Sequence, residues 1–287
     1  MLCDPRGATA CPQSERTAPS TTRKGRTVMG IRSVIRRRSL LSAALTALAT
    51  SALVVPATAH GSTGQDTAPG SVGTRIVGGR FVTEQKPSIA SLGGANHRCT
   101  STIIAPRWVL TAAHCVGPGD RPFVRIGSLD RTQGGYTAWA VRVIQHPYYN
   151  WPSNDIALVQ LDRDVRTTYS PLASAGDIAQ NQAAEVYGWG SEQADWGGLL
   201  PTRLKYARGY MIGTRCTPAN PAVLCFGAGN GTTAGGDSGG PLMVWSPQTG
   251  SWVQAGVSAV GPKPSGGWSG YTNIANYRTW IRQITGV

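Results

Sequence analysis

The stretch Gly235-Gly236-Asp237-Ser238-Gly239-Gly240-Pro241 decides how the rest of the chain is read. It is a turn crowded with glycine that offers one hydroxyl, and it runs directly into the apolar segment Pro241 to Trp245. A serine hydroxyl is a weak nucleophile until a base takes its proton, and its attack on a carbonyl needs donors waiting for the oxyanion that develops. Glycines on both sides of Ser238 serve that need. Without Cβ atoms they reach unusual backbone angles and let a carbonyl approach the main-chain N–H groups. A surface turn with an incidental serine has the same local composition, so the decision rests on what lies upstream.

Working outward, short apolar runs recur between clusters of Gly, Pro, Asn and Asp. They are Ser101 to Ala105, Trp108 to Ala112, Phe123 to Ile126, Ala138 to Ile144, Ile156 to Leu161, Ala184 to Tyr187, Pro241 to Trp245 and Trp252 to Val260. Their length and spacing predict an all-β barrel or sandwich. Only the end departs from this: Tyr277, Trp280, Ile281 and Ile284 fall at helical spacing and predict a C-terminal helix. Two all-β parts of similar size would meet near residues 170 to 183, a loop-like stretch with Pro171, Gly176 and Asn181.

A base for Ser238 should be a histidine, whose ordinary pKa lies near neutrality. His97 sits in the polar stretch Gly93 to Arg98 and His146 precedes Pro147 in a turn, so both read as surface residues. His114 differs. It follows the apolar run from Trp108 to Ala113 and precedes Cys115, where a disulfide would fix the backbone. An imidazole used as a base needs a carboxylate to orient it and to stabilise its protonated form. Asp155, at the start of Ile156-Ala157-Leu158-Val159, is the leading choice, whereas Asp162 and Asp164 read as solvated strand ends.

Ile76-Val77-Gly78-Gly79, Thr111-Ala112-Ala113-His114-Cys115, Asn154-Asp155-Ile156-Ala157-Leu158, Gly188-Trp189-Gly190 and Gly236-Asp237-Ser238-Gly239-Gly240-Pro241 occur in this order. In that order the chain resembles the chymotrypsin-like serine proteases from Ile76 to Val287. The resemblance implies two packed six-stranded antiparallel β-barrels with a C-terminal helix. It implies His114 as general base, Asp155 as its orienting partner and Ser238 as nucleophile, with the N–H groups of Gly236 and Ser238 as the oxyanion hole. Ser258 matches a position that hydrogen-bonds the buried aspartate. It also implies a zymogen cut between Arg75 and Ile76, whose freed amine would pair with Asp237 and order the hole.

The same resemblance puts the floor of the primary pocket at Thr232 and its walls along Ser258 to Val260 and near Ser269. A pocket for Arg or Lys needs a buried carboxylate. Between Cys225 and Val287 the only acid is Asp237, already assigned elsewhere. Val260 replaces a glycine of many relatives, which makes the pocket shallow and favours small or medium apolar P1 side chains. Lys263 reaching in to attract an acidic P1 is the competing reading, with a merely solvated lysine beside it. Such an enzyme does not readily cut after Arg75, so a separate activating protease is expected. Many relatives also bridge the pocket walls with a disulfide; here Thr233-Ala234-Gly235 carries no cysteine and none lies beyond Cys225.

Upstream of Ile76 the chain reads as processing signals. Residues 1 to 28 are a polar extension ahead of Met29 and are set aside with Cys3 and Cys11. Residues 29 to 59 read as a signal peptide: the basic segment Ile31 to Arg38, the apolar run Leu40 to Val55 and Pro56-Ala57-Thr58-Ala59, with cleavage expected after Ala59. The run is short of the roughly 20 apolar residues that span a bilayer. Arg37-Arg38 also permits a twin-arginine signal. Residues 60 to 75 form a short pro-segment rich in Gly, Ser and Thr, and residues 76 to 287 the globular domain, in halves of about 76–175 and 176–287.

The formal charge of +13 divides into ten basic against three acidic residues before Ile76 and 17 against 11 after it. A moderately basic exported domain without a nucleic-acid motif does not read as a nucleic-acid binder. Cys99, Cys115, Cys216 and Cys225 permit three pairings, of which Cys99–Cys115 with Cys216–Cys225 is the one expected. No cofactor or metal is expected, the partners are protein or peptide substrates, and the domain reads as a secreted monomer. The competing class is a secreted, catalytically silent relative. An esterase on an α/β-hydrolase fold fits poorly, since its order is Ser, acid, His.

Overall fold

The computed structural model describes residues 76–214, 216 and 223–287. The expected signal peptide, pro-segment and Arg75 lie outside the described residues. Seven strands come first: β1 (Arg80–Phe81), β2 (Ile89–Leu92), β3 (Cys99–Ala105), β4 (Trp108–Thr111), β5 (Phe123–Ile126), β6 (Tyr136–Gln145) and β7 (Ala157–Leu161). Six follow: β8 (Ala183–Gly188), β9 (Lys205–Gly213), β10 (Val223–Ala228), β11 (Pro241–Ser246), β12 (Ser251–Val260) and β13 (Trp268–Asn273). After a 3-10 turn at Ile274–Tyr277 comes the helix α1 (Arg278–Thr285).

The order β2-β3-β4-β7-β6-β5 closes into one antiparallel barrel. The order β9-β10-β13-β12-β11-β8 makes the other, closed by the β8–β9 pairing, and β1 adds to the β9 edge. This is the chymotrypsin-like double barrel the motif order implied.

The strand period explains which side chains fill each barrel. In β5, Val124 and Ile126 are buried while Phe123 and Arg125 are only partly covered, the alternation of a strand with one face on a core. β3 is buried along its whole length, because Ile103 lines the first core while other residues of the strand face the second barrel. Polar side chains on such a strand must find partners. Thr102 Oγ1 donates to Gln254 Oε1 of β12 at 2.8 Å, and Ser101 Oγ donates to the Ala90 carbonyl at 3.1 Å.

The expected division into halves is crossed at both ends of the domain. Ile76, the first described residue, is fully buried in the second core with Val186, Phe226, Leu242 and Tyr271. Tyr277 and Ile281, near the end, complete the first core with Leu110, Ile156 and Leu158. The helix expected from Tyr277 begins one residue later and stops at Gly286, whose φ of 86° and N–H to the Arg282 carbonyl at 2.9 Å close it. Both expected disulfides, Cys99–Cys115 and Cys216–Cys225, are formed.

Candidate active site

His114 lies on the 3-10 turn Ala113–Cys115 that leaves β4, and the Cys99 bridge ties that turn to the start of β3. Asp155 is fully buried just ahead of β7. Its carboxylate holds the histidine twice: Oδ2 lies 2.6 Å from Nδ1, and Oδ1 accepts the His114 backbone N–H at 2.9 Å. With Nδ1–H donated to the carboxylate, Nε2 is left as the basic nitrogen. Asp155 is itself held from the far side, where Thr272 Oγ1 donates to its carbonyl at 2.9 Å. Tyr277 donates to Asn154 Oδ1 at 2.9 Å and Asn154 Nδ2 to the Tyr148 carbonyl at 2.8 Å, fixing the loop before it.

Ser238 is presented by a turn clamped between the barrels. Its carbonyl accepts from Thr100 N at 2.9 Å, Gly239 N donates to Ser258 O at 2.8 Å, and Ser258 N to Gly240 O at 2.9 Å. Gly239 has φ 77°, and a Cβ there would fall 2.1 Å from Thr111 Oγ1, so the turn packs this closely only with glycine. Gly236, at φ 99°, turns the peptide ahead of Ser238. Among the described residues, the N–H groups of Gly236 and Ser238 meet no hydrogen-bond acceptor. Ser238 and His114 line one cleft with Tyr149, Gln145 and Asp120. No hydrogen bond joins Ser238 Oγ to His114 here, a contact that typically tightens only when substrate is bound.

His97 corrects the sequence reading. It is buried, with Nδ1 2.7 Å from Ser91 Oγ and Nε2 3.0 Å from the Gly236 carbonyl, and its ring meets Trp189 edge-on. Nε2–H donated to that carbonyl and Nδ1 accepting from Ser91 give both nitrogens partners as a neutral ring. Burial lowers its pKa to about 4, with nearby Arg131 adding to the effect and the Gly236 bond opposing it. Its polar neighbours in sequence hid this position, because the stretch dips between the barrels. His146 is half-buried, edge-on to Tyr277 and Trp280.

Asp237 is fully buried, its Oδ1 accepting from Gly190 N at 2.8 Å and Oδ2 from Ala234 N at 2.9 Å. Burial pushes its pKa up to about 6, against the pull of those two donors and of Lys205. Ile76-Val77 runs alongside: Thr232 N donates to the Val77 carbonyl at 2.9 Å. The carboxylate is thus a buried acid held by two backbone donors with the Lys205 ammonium in its field, at the place where the sequence reading expects a cation.

The sequence model described as Trypsin matches residues 76–281. The chain belongs to the trypsin family. It is 32% identical to serine protease 1 of Drosophila melanogaster over 234 residues, which is 74% of this chain and 86% of that protein. It is 33% identical to human granzyme M over 242 residues, 75% of this chain and 91% of that one. Among solved structures, human heparin binding protein is similar with a TM-score of 0.63 and 27% identity, covering 72% of this chain and 96% of that one.

The small pocket beside Ser238 is lined by other residues than those expected for the primary pocket. Trp196, Thr233, Ala234, Gly235, Ser258, Ala259 and Val260 line it beside Ser238, and its volume is about 40 Å³. Thr232 and Ser269, expected at the floor and wall, do not line it. Thr232 is drawn into the bridge with Val77, and the Ser269 hydroxyl is buried at the rear, toward Tyr271. Ser258 does not bond Asp155; its hydroxyl also faces Tyr271, and its backbone holds the turn at Ser238 instead. Lys263 stays outside, exposed, its ammonium 5.7 Å from the Trp196 ring centroid. Trp196 carried no signal in the sequence, since only the path of its loop brings it here. The close group Cys99, His114 and Cys115 is no metal site, because both sulfurs are in the disulfide.

Proposed function

We propose that the domain is a secreted serine endopeptidase, made as a zymogen and activated by cleavage between Arg75 and Ile76. What carries this reading is the doubly held His114–Asp155 pair, opening on the cleft that Ser238 lines beside two unpartnered N–H groups. His114 Nε2 takes the Ser238 proton as Oγ attacks the scissile carbonyl, and Asp155 stabilises the imidazolium. The oxyanion lies against the N–H groups of Gly236 and Ser238. Collapse expels the amine with the proton from His114, and water then releases the acyl group by the same route.

The activation reading rests on Asp237. A buried carboxylate whose pKa is raised to about 6 gains most from a cation brought to it, and Ile76-Val77 already runs beside Thr232. The Ile76 amine would supply that cation once freed. With no carboxylate among the pocket-lining residues, the P1 side chain is small or medium and apolar, and a separate protease does the activating. The export signal in residues 29 to 59 supports secretion, and no described helix is long and apolar enough to cross a membrane.

The test is reaction of the Ile76-initiated domain with a serine-phosphonylating reagent. Stoichiometric labelling, lost in Ser238→Ala, is expected; an inert protein would overturn the reading. A second reading, a silent binding relative, draws on the similarity to heparin binding protein and on the 17 to 11 excess of basic residues after Arg75. It predicts no labelling together with salt-sensitive retention on a sulfated polysaccharide.

A further inference from the structure

Trp196 stands where the sequence leaves the pocket without its expected covalent tie. The loop carrying it is pinned to the pocket: Ser191 N donates to the Gly235 carbonyl at 2.7 Å, and Ser191 Oγ to the Gly197 carbonyl at 2.7 Å. Trp196 then adopts φ 65°, a left-handed conformation that a bulky side chain rarely takes. Such a conformation persists only where surrounding contacts over-determine it. Here they do. The indole Nε1–H donates to Ser265 Oγ at 2.7 Å, Ser265 Oγ–H donates to the Thr233 carbonyl at 3.0 Å, and Ser265 N donates to the Ala194 carbonyl at 2.6 Å.

One indole therefore joins three segments: its own loop, the wall at Thr233 to Gly235, and the loop after β12 at Ser265. The ring packs on Gly235, where a Cβ would lie 3.3 Å from Trp196 Cβ and 3.5 Å from the ring. Its other surroundings are the pocket, which it lines with Ala234, Ala259 and Val260, and the Lys263 ammonium. A ring so tethered does not swing aside for a large P1 side chain without breaking its own hydrogen bond and freeing the Ser265 link.

We propose that Trp196 is the specificity-determining wall of the primary pocket, a hydrogen-bonded substitute for the missing disulfide that confines P1 to side chains such as Ala and Val and excludes aromatic ones. This rests on the endopeptidase reading above and names what sets its substrate class.

The experiment compares Ile76-initiated wild type, Trp196→Ala, Trp196→Phe and Ser265→Ala on peptide substrates that differ only at P1: Ala, Val, Leu and Phe. In wild type, kcat/KM falls from Ala to Phe. In Trp196→Ala the Phe to Ala ratio rises by about tenfold or more, the range in which misfit of a few methylenes is discriminated. Trp196→Phe gives an intermediate ratio, and Ser265→Ala, which keeps the ring but frees it, a smaller rise. An unchanged ratio in Trp196→Ala and Ser265→Ala, with the Ala substrate still turned over, overturns the proposal. A wild type inert both to these substrates and to phosphonylation overturns the endopeptidase reading instead. The wall then still has a readout, because free indole should raise the Tm of Trp196→Ala and leave wild type unmoved. No such rise would remove the wall as well.

Discussion

The two sides of the cleft are held by different means. On the His114 side the Cys99–Cys115 bridge, a fully buried Asp155 and three strands of a closed barrel converge on one ring. On the pocket side, the described walls are joined by main-chain hydrogen bonds, the Trp196–Ser265–Thr233 chain and a run of glycines. The difference teaches where tolerance lies. A base displaced by about an ångström costs on the order of 10²-fold in rate, whereas a pocket wall displaced by the same amount mainly changes which side chain is accepted.

The largest test of the chemical side is Ser238→Ala, expected to lower kcat by about 10⁶-fold in single-turnover assays. Asp155→Asn should leave the fold intact and cost about 10⁴-fold, the loss general to triads of this kind, because His114 is left in the wrong tautomer. Replacing both Cys99 and Cys115 by serine should lower unfolding stability by about 3 kcal/mol in urea. Against it, Ser265→Ala on the pocket side should cost about 1 kcal/mol. If the two stability losses proved equal, the contrast between the sides would fail.

A pH experiment sharpens the same contrast in the segment between them. Asp237, raised from 3.8 to about 6, binds a proton in the folded chain that the unfolded chain lacks, so it adds stability as pH falls through that window. His97, lowered from 6.5 to about 4, does the reverse and removes stability as pH falls. In an Arg75→Gln chain, kept uncut, the two slopes offset and Tm should vary little between about pH 4 and 6. In the Ile76-initiated form the new amine holds Asp237 ionised, the offset disappears, and Tm should fall toward acid. Parallel profiles for the two forms would argue against the Asp237 pairing. The smallest effect is expected from Lys263→Met, within about 0.5 kcal/mol, because its ammonium is exposed over the indole.

The parts of the molecule legible in sequence were those written in contiguous residues. The turn at Ser238, the strand leading to His114, the acid ahead of β7 and the stripe of α1 each carry their own signal. β9 and β10 did not. β9 mixes Lys205, Arg208, Tyr206 and Tyr210 with Gly209 and Gly213, and β10 is a short run holding Gly227, so neither shows a clean two-residue period. His97 and Trp196 were hidden for a different reason. Their roles come from partners far away in the chain, Gly236 for one and Ser265 for the other, and no local pattern encodes such a meeting.

The crossing of the chain ends has a consequence for how the domain is born. The first barrel is the first to leave a ribosome, yet its core stays open until Tyr277 and Ile281 arrive at the far end of the chain. The second barrel in turn waits with a space that only Ile76, made long before it, can fill. Neither half can be finished alone, so assembly depends on contacts between residues about as distant as the domain allows, a topology that folds slowly. A chain of this kind can complete neither of its cores until both ends of the domain have been made.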